Sequence, residues 1–512
     1  MDIETQQGAL TIRLHGADNV VTAKATIAAG TRLADENIET RDEIPVSHKV
    51  ATAAIETGQP VRKYDQIIGF ASTPIAPGEH VHTHNLAMKT FERDYAYGAD
   101  AKPTDFVTEA ERATFQGFVR ADGRVGTRNY VGVLTSVNCS ATVARAIADA
   151  FRGDTLADYP NVDGVVALVH GTGCGMAGSG LGFELLQNTL DGYKRHPNFG
   201  GALMVGLGCE VNQIAGMVDR HGWEMGETFQ AMTIQDTGGT RATVQRGIEQ
   251  IKDMLGEVNK ATRSTVPAGE LKLGLECGGS DAYSGLTANP ALGAAADLLV
   301  RHGGTAILAE TPEIYGAEHL LTRRVEDRAI ADKLIKHILW WEDYTAKNGA
   351  EMNNNPSPGN KAGGLTTILE KSLGAVAKGG TTNLIDVYQY AEPVTAKGFT
   401  FMNTPGYDVV SVTGMVAGGA NVVCFTTGRG SVFGCKPVPC IKLATNTAMF
   451  RRMEEDMDVN CGVITDGEAS VRETGRVIFD TILDVASGRP SKSEALGLGD
   501  EEFVPWHIGA VM

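Results

Sequence analysis

Cysteine is scarce in this chain, eight residues in 512, and no two stand at CxxC spacing. That excludes a disulfide scaffold and the commonest structural zinc sites, so each cysteine has to be judged by its own setting. Long apolar runs are missing too: no stretch approaches the roughly 18 uninterrupted apolar residues of a membrane span. The opening MDIETQQGAL has no basic region followed by an apolar core, so no secretory signal is read and a cytoplasmic location is expected. Positive charge is also short, with 45 Lys and Arg against 62 Asp and Glu and a net charge of −17. Nucleic acid and anionic membranes need a concentrated basic patch, so neither is expected as a partner. An anionic small molecule would have to be met by cations placed locally. What the chain does have is 42% apolar residues over 512 positions, enough for roughly two to four domains.

The first pattern along the chain is a weak repeat: Ile27-Ala-Ala-Gly30-Thr-Arg-Leu33, Ile55-Glu-Thr-Gly58-Gln-Pro-Val61 and Ile75-Ala-Pro-Gly78-Glu-His-Val81. Each copy sets a glycine turn between two short β-type runs, which predicts a small β-rich module over residues 1–92. The polar, proline-bearing stretch 93–115 reads as a linker. Beyond it, apolar runs such as YVGVLTSVNC, VDGVVALVHGTGCG and GALMVGLGCE alternate with helical patterns, the rhythm of parallel α/β sheets. A polar gap before LKLGLECGGSD divides this region into two α/β units, 116–265 and 266–512.

Open α/β sheets bind ligands beyond the carboxyl ends of their strands, so the loops there hold the candidates. They carry His170 and Cys174 in HGTGCG, Cys209 and Glu210 in GLGCE, Cys277, Ser280 and Asp281 in ECGGSD, and Cys139 at the end of a further run. A cysteine at such a position is either a small core hydrophobe or a thiolate ligand to iron or an iron–sulfur cluster. Two loops suit anions: EMNNNPSPGNKAGG, with Asn354, Asn360 and Lys361 among turn formers, and FTTGRGSVFG, with Arg429 between glycines. In EHVHTHN, His80, His82 and His84 stand at every second residue after a Pro77-Gly78 turn. An extended strand would send all three imidazoles to one face, as a divalent metal site or as a solvated polar face.

Taken together the chain resembles the altronate and galactarate dehydratase family of sugar-acid hydro-lyases. The resemblance runs through Asp18-Asn-Val20, Ser47-His48-Lys49, GRVGTRN, GLGCE, ECGGSD, TANP, PGNKAGG and TTGRG, and the N-terminal repeat is similar to the SAF module of such enzymes. It implies loss of water from a 2,3-dihydroxy acid to give a 2-keto-3-deoxy acid, with iron(II) as cofactor; manganese(II) is an alternative, and the strand-end cysteines leave an iron–sulfur cluster as a third. Charge builds on the substrate carboxylate as the neighbouring proton leaves, so a metal or cations must face it, and the departing hydroxyl needs an acid. On this reading His82 and His84 are metal ligands, with Cys174 or Cys277 completing the site. His48 and His170 are candidate acid or base, Lys49 a base if burial lowers its pKa. Ser280, Asp281, Asn354, Lys361 and Arg429 orient the substrate. The histidine run places the chain nearer the altronate-like branch, with a galactarate-type aldarate, a sulfolactate sulfo-lyase and a non-catalytic sugar-acid sensor as alternatives. A homo-oligomer is compatible with the sequence.

Overall fold

In the computed structural model, which describes residues 9–89, 91 and 93–511, three units follow one another along the chain. The first consists of short antiparallel strands between Thr11 and Ala87. Its repeats close alike: Ile27 bridges Ile44 and Ile55 bridges Ile75. Gly30, Gly58 and Gly78 all turn at positive φ, between 78° and 87°, where a Cβ is costly. A fourth copy, Ile44-Pro-Val-Ser47-His-Lys-Val50, was hidden because Ser47, at φ 68°, occupies the glycine position. This copy carries His48 and Lys49.

The histidine run departs from the extended strand expected of it. The strand stops at His80–Val81, and the chain then turns on Asn85, whose backbone N–H donates to the His82 carbonyl at 3.1 Å while its side-chain oxygen accepts from the His82 N–H at 3.0 Å. The period of two is lost at that turn, and His84 is left exposed.

The fold after the module is α/β. Among the described residues the second unit has four parallel strands, in the order Gly164–Leu168, Tyr130–Thr135, Phe199–Gly206, Phe229–Thr233. The third has seven parallel strands, with Lys272–Cys277 in the middle beside Thr305–Leu308 on one side and Val422–Thr427 on the other. Tyr130–Thr135, Val422–Thr427 and Cys440–Ala444 are buried at every residue, as strands covered by helices on both faces must be, which is why they read as continuous apolar runs. The two sheets are joined where the chain crosses between them: Thr114–Val119 pairs antiparallel with Arg263–Pro267. The linker is an irregular path pinned to the third unit, with Val107 N–H donating to Arg301 O at 2.8 Å and Arg323 paired to Asp100 at 2.7 Å.

In the seven-stranded sheet the chain leaves Lys272–Cys277 toward one edge and later returns to build the other. The loops after Cys277 and Thr427 therefore flank a topological switch point, where such sheets open a crevice. The N-terminal module docks against the first of these loops, where Tyr283 Oη donates to the Ala23 carbonyl at 3.0 Å, and against the segment from Gly363 to Glu370.

Candidate active site

His48, His80 and His82 converge at the docked edge of the module, one nitrogen of each lying within 4.8 Å of the others. His48 Nδ1 is 2.9 Å from His80 Nε2, and His48 Nε2 faces the carbonyl of Ala362 at 3.4 Å. Burial lowers all three imidazoles, His80 to about 4 and His82 to about 3, with neighbouring positive groups adding to the effect. Neutral imidazole is the ligating form. His82 Nδ1 is buried without a hydrogen-bond partner, a cost that a bound ion would remove. This donor set fits a divalent transition metal.

The module is held in place by a buried ionic network. Lys49 Nζ donates to Glu370 Oε2 at 2.9 Å and to the Gly364 carbonyl at 2.7 Å, and Lys63 Nζ reaches Glu370 Oε1 at 3.0 Å. Glu370 belongs to the helix Ile368–Val376, which is buried on every face. Burial opposes ionisation of Glu370, but the two lysines and Thr366 hold its carboxyl at about 2. Burial brings Lys49 down to about 8, against the pull of Glu370. Ser47 Oγ adds a bond of 2.9 Å to the Gly363 carbonyl.

Segment 357–364 thus lies between module and crevice. Ser357 caps the short helix Pro358–Ala362 in a reciprocal pair with Asn360, and Asn360 Nδ2 donates to the Ser280 carbonyl at 2.8 Å. Asp281 next to it is buried and accepts from Thr445 Oγ1 at 3.0 Å, from Ser284 N–H at 2.9 Å and from Asn446 Nδ2 at 3.2 Å. A Cβ on Gly428 would fall 2.1 Å from the Asp281 Cγ, so the loop after Val422–Thr427 can close on Asp281 only with glycine there.

On the other side of this segment opens a cavity of about 390 Å³, whose lining includes Cys277, Glu313, Asn354, Asn360, Lys371 and Asp408. Lys371 Nζ donates to Glu313 Oε1 at 2.6 Å and to Asn355 Oδ1 at 3.0 Å. Behind the wall Lys378 Nζ contacts Glu310 Oε2 at 2.6 Å and Cys277 Sγ at 2.9 Å. Burial, reinforced by Glu310, pushes the Cys277 thiol far up, so it is a thiol. Glu276 is raised for the same reasons. Its Oε1 and the Oε1 of Glu310 are both buried without a donor, and one proton shared between the carboxyls satisfies both. Asp408, at the cavity, is pushed up to about 7 by burial and by Glu310 and Glu313.

The residues singled out from sequence fall into three places. His48, Lys49, His82, Ser280, Asp281 and Asn360 meet around segment 357–364; Asn354 and Cys277 line the cavity. Lys361 is half-buried and Arg429 exposed, and neither forms an ion pair among the described residues. His170 and Cys174 lie apart, in the central unit. His170 is buried there with Nε2 at 2.9 Å from Thr135 O and Nδ1 at 3.1 Å from Thr172 Oγ1. Sequence reading passed over Glu370, Lys371, Lys378, Glu313 and Asp408, which sit in helices and turns without a chemical signature. Glu310, ending the apolar run GGTAILAE, carried the same strand-end signal as Cys277.

Comparison with known proteins matches three successive parts of the chain to family domains. The altronate/galactarate dehydratase SAF domain matches residues 9–89, the D-galactarate dehydratase/altronate hydrolase second domain 117–259, and the D-galactarate/altronate dehydratase C-terminal domain 268–511. The chain is 34% identical to altronate dehydratase of Bacillus subtilis, covering 93% of this chain and 95% of that protein. It is 36% identical to altronate dehydratase of Escherichia coli (94% and 96%), and 38% identical to the galactarate dehydratase (L-threo-forming) of the same organism (93% of each). A sequence matched end to end in this way, with its module locked over the crevice of the C-terminal sheet, belongs to the altronate and galactarate dehydratase family of hydro-lyases.

Proposed function

We propose that the protein removes water from an altronate-like aldonate to give a 2-keto-3-deoxy acid, and that His48, His80 and His82 hold the iron(II) it needs, with manganese(II) able to replace it. The observation that carries the reading is the cluster of three neutral imidazoles, one with an orphaned buried nitrogen, on a module locked against the crevice. When bound, the metal supplies Lewis acidity toward the carboxylate beside which charge develops.

The remaining work falls to the chain's own groups. Asn354, Asn355 and Asn360 suit a polyhydroxylated chain, and Lys371 offers a fixed positive charge at the cavity. Asp408, poised at about 7, is the proton carrier: protonated, it donates to the departing hydroxyl, which leaves as water, and the carboxylate so formed takes up the proton lost from the carbon beside the substrate carboxylate. Lys49 has the lowered pKa a base requires, yet its ammonium is tied to Glu370 and Gly364, and we assign it to docking. A galactarate-type aldarate is the second reading, favoured by the 38% identity to the galactarate enzyme against 34% and 36% for the altronate enzymes.

The deciding experiment is anaerobic incubation of iron(II)-loaded protein with a panel of aldonates, aldarates and sulfolactate, measuring 2-keto-3-deoxy acids and sulfite. A keto-deoxy acid from an aldonate supports the proposal, and one from an aldarate alone moves it to the second reading. Sulfite, or no product with iron bound, overturns both.

A further inference from the structure

Of the eight cysteines, Cys139, Cys174 and Cys209 are exposed and the other five are buried. The exposed three belong to the central sheet. Cys139 follows the strand Tyr130–Thr135, Cys174 follows Gly164–Leu168 and Cys209 follows Phe199–Gly206, and these strands are parallel neighbours with Tyr130–Thr135 in the middle. The chain leaves the middle strand to one side and then crosses to the other, so the three thiols surround the switch point of this second sheet, far along the chain from the histidine site.

Their loops are tied in a closed ring. Ser136 Oγ donates to Glu210 Oε1 at 2.5 Å, joining the loop of Cys139 to that of Cys209. The Asn138 N–H donates to Thr172 O at 2.9 Å, joining it to that of Cys174. The Asn212 N–H donates to Gly173 O at 3.0 Å, and Asn212 Nδ2 to Ser136 O at 2.9 Å, closing the circuit. Gly173 sits at φ 97°, and a Cβ there would fall 2.2 Å from the Ser136 carbonyl. The loops are pressed together as closely as backbone allows, and each cysteine lies within three residues of one of these contacts.

Exposed free thiols invite oxidation, and cysteine without a chemical task is usually buried. A closed structural zinc site needs a fourth ligand, and His170, the histidine at this sheet end, has both ring nitrogens engaged. Among the described residues the groups whose ligand atoms lie within 4.8 Å of one another include the histidine cluster and not these three sulfurs, so no single-ion site is formed by them as they stand. Gln235 Nε2 donates to Cys209 Sγ at 3.5 Å, a kind of contact that tunes cluster-bound sulfur. We infer that Cys139, Cys174 and Cys209 bind a [4Fe–4S] cluster through three thiolates, its fourth iron left without a protein ligand and open to an oxygen ligand.

The test uses the full chain, purified without oxygen, reconstituted with iron(II) and sulfide and desalted. Wild type is expected to retain about four acid-labile sulfides per chain, with the broad visible absorption of a cluster. Cys139→Ser, Cys174→Ser and Cys209→Ser should each lose most of both, and His82→Ala should keep them. The His82→Ala arm separates this inference from the histidine metal site, because a protein can fail either measurement alone. A second measurement needs no variant: in reconstituted wild type the three thiols should resist alkylation, read by mass spectrometry, until the cluster is destroyed with ferricyanide and chelator. Wild type holding no more sulfide than the triple serine variant, or three thiols alkylated equally fast before and after reconstitution, overturns the inference.

Discussion

Lys49 of the N-terminal module and Glu370 of the C-terminal unit meet at 2.9 Å, 321 residues apart in sequence and both wholly shielded from solvent. Neither charge would be tolerated there alone, so the pair works as a lock on one docked position of the module more than as a source of net stability.

Breaking that lock should be costly because it strands a buried charge. Glu370→Gln leaves Lys49 and Lys63 without their carboxylate, and an unfolding free energy lower by about 3–5 kcal/mol is expected by denaturant titration. The acid limb of the stability curve should change as well. The folded-state value of Glu370, about 2, lies below its ordinary 4.5. Its contribution is therefore full above 4.5 and lost as pH falls toward 2, roughly 3 kcal/mol in all. Wild type should lose stability over that interval more steeply than Glu370→Gln, and equal slopes would show that the carboxyl is not held down.

The histidines give a sharper contrast. His82 stands in the cluster with a buried, orphaned Nδ1, whereas His84 is exposed beyond the turn. His82→Ala should weaken iron(II) binding by at least about 100-fold, the upper end of what even indirect ligand supports contribute. His84→Ala should bind within a few-fold of wild type. Metal content after equilibrium dialysis decides, and parity between the two variants would remove His82 from the ligand set.

These contrasts mark how far the sequence was legible. The parallel sheets were, because strands buried on both faces must be written as continuous apolar runs, and the strand-end rule led to Cys277, Ser280 and Asp281. The N-terminal repeat was legible wherever glycine marked its turn, and the copy bearing His48 and Lys49 was missed because Ser47 took that role. Period-two reasoning put His82 and His84 on one face, since nothing in EHVHTHN announces that Asn85 will cap a turn at His82. Glu370, Lys371 and Lys378 acquire chemical meaning only when helix and module are brought together, a tertiary fact without a local signature.

Asp281 was read as a substrate ligand, and its bonds indicate a second duty. Its carboxylate gathers Thr445, Ser284 and Asn446 from two loops of the crevice. Asp281→Ala leaves several buried donors unpaired and should cost about 2–4 kcal/mol of stability. Asp281→Asn keeps one acceptor oxygen and should recover part of it. If Asp281 serves only as an anchor, KM at low temperature, where both variants are folded, will stay near wild type; a KM raised tenfold or more in a folded Asp281→Asn protein would restore it to the substrate.

The pH profile bears most directly on the chemistry. Burial, together with Glu310 and Glu313, raises Asp408 from 3.8 to about 7, so near neutrality it is part protonated while an ordinary aspartate would be fully ionised. As donor to the departing hydroxyl it is active in its protonated form, and kcat should fall as pH rises through about 7. Asp408→Asn should lower kcat by about 100- to 10,000-fold and abolish that limb. Stability should respond with the same sign. Between 3.8 and about 7 the folded state holds a proton that the unfolded state has released, so wild type loses stability as pH rises across that interval and Asp408→Asn shows a flatter profile. A variant with the stability change but an unaltered kcat profile would leave Asp408 as a buried acid of the cavity wall and pass the proton transfer to another group.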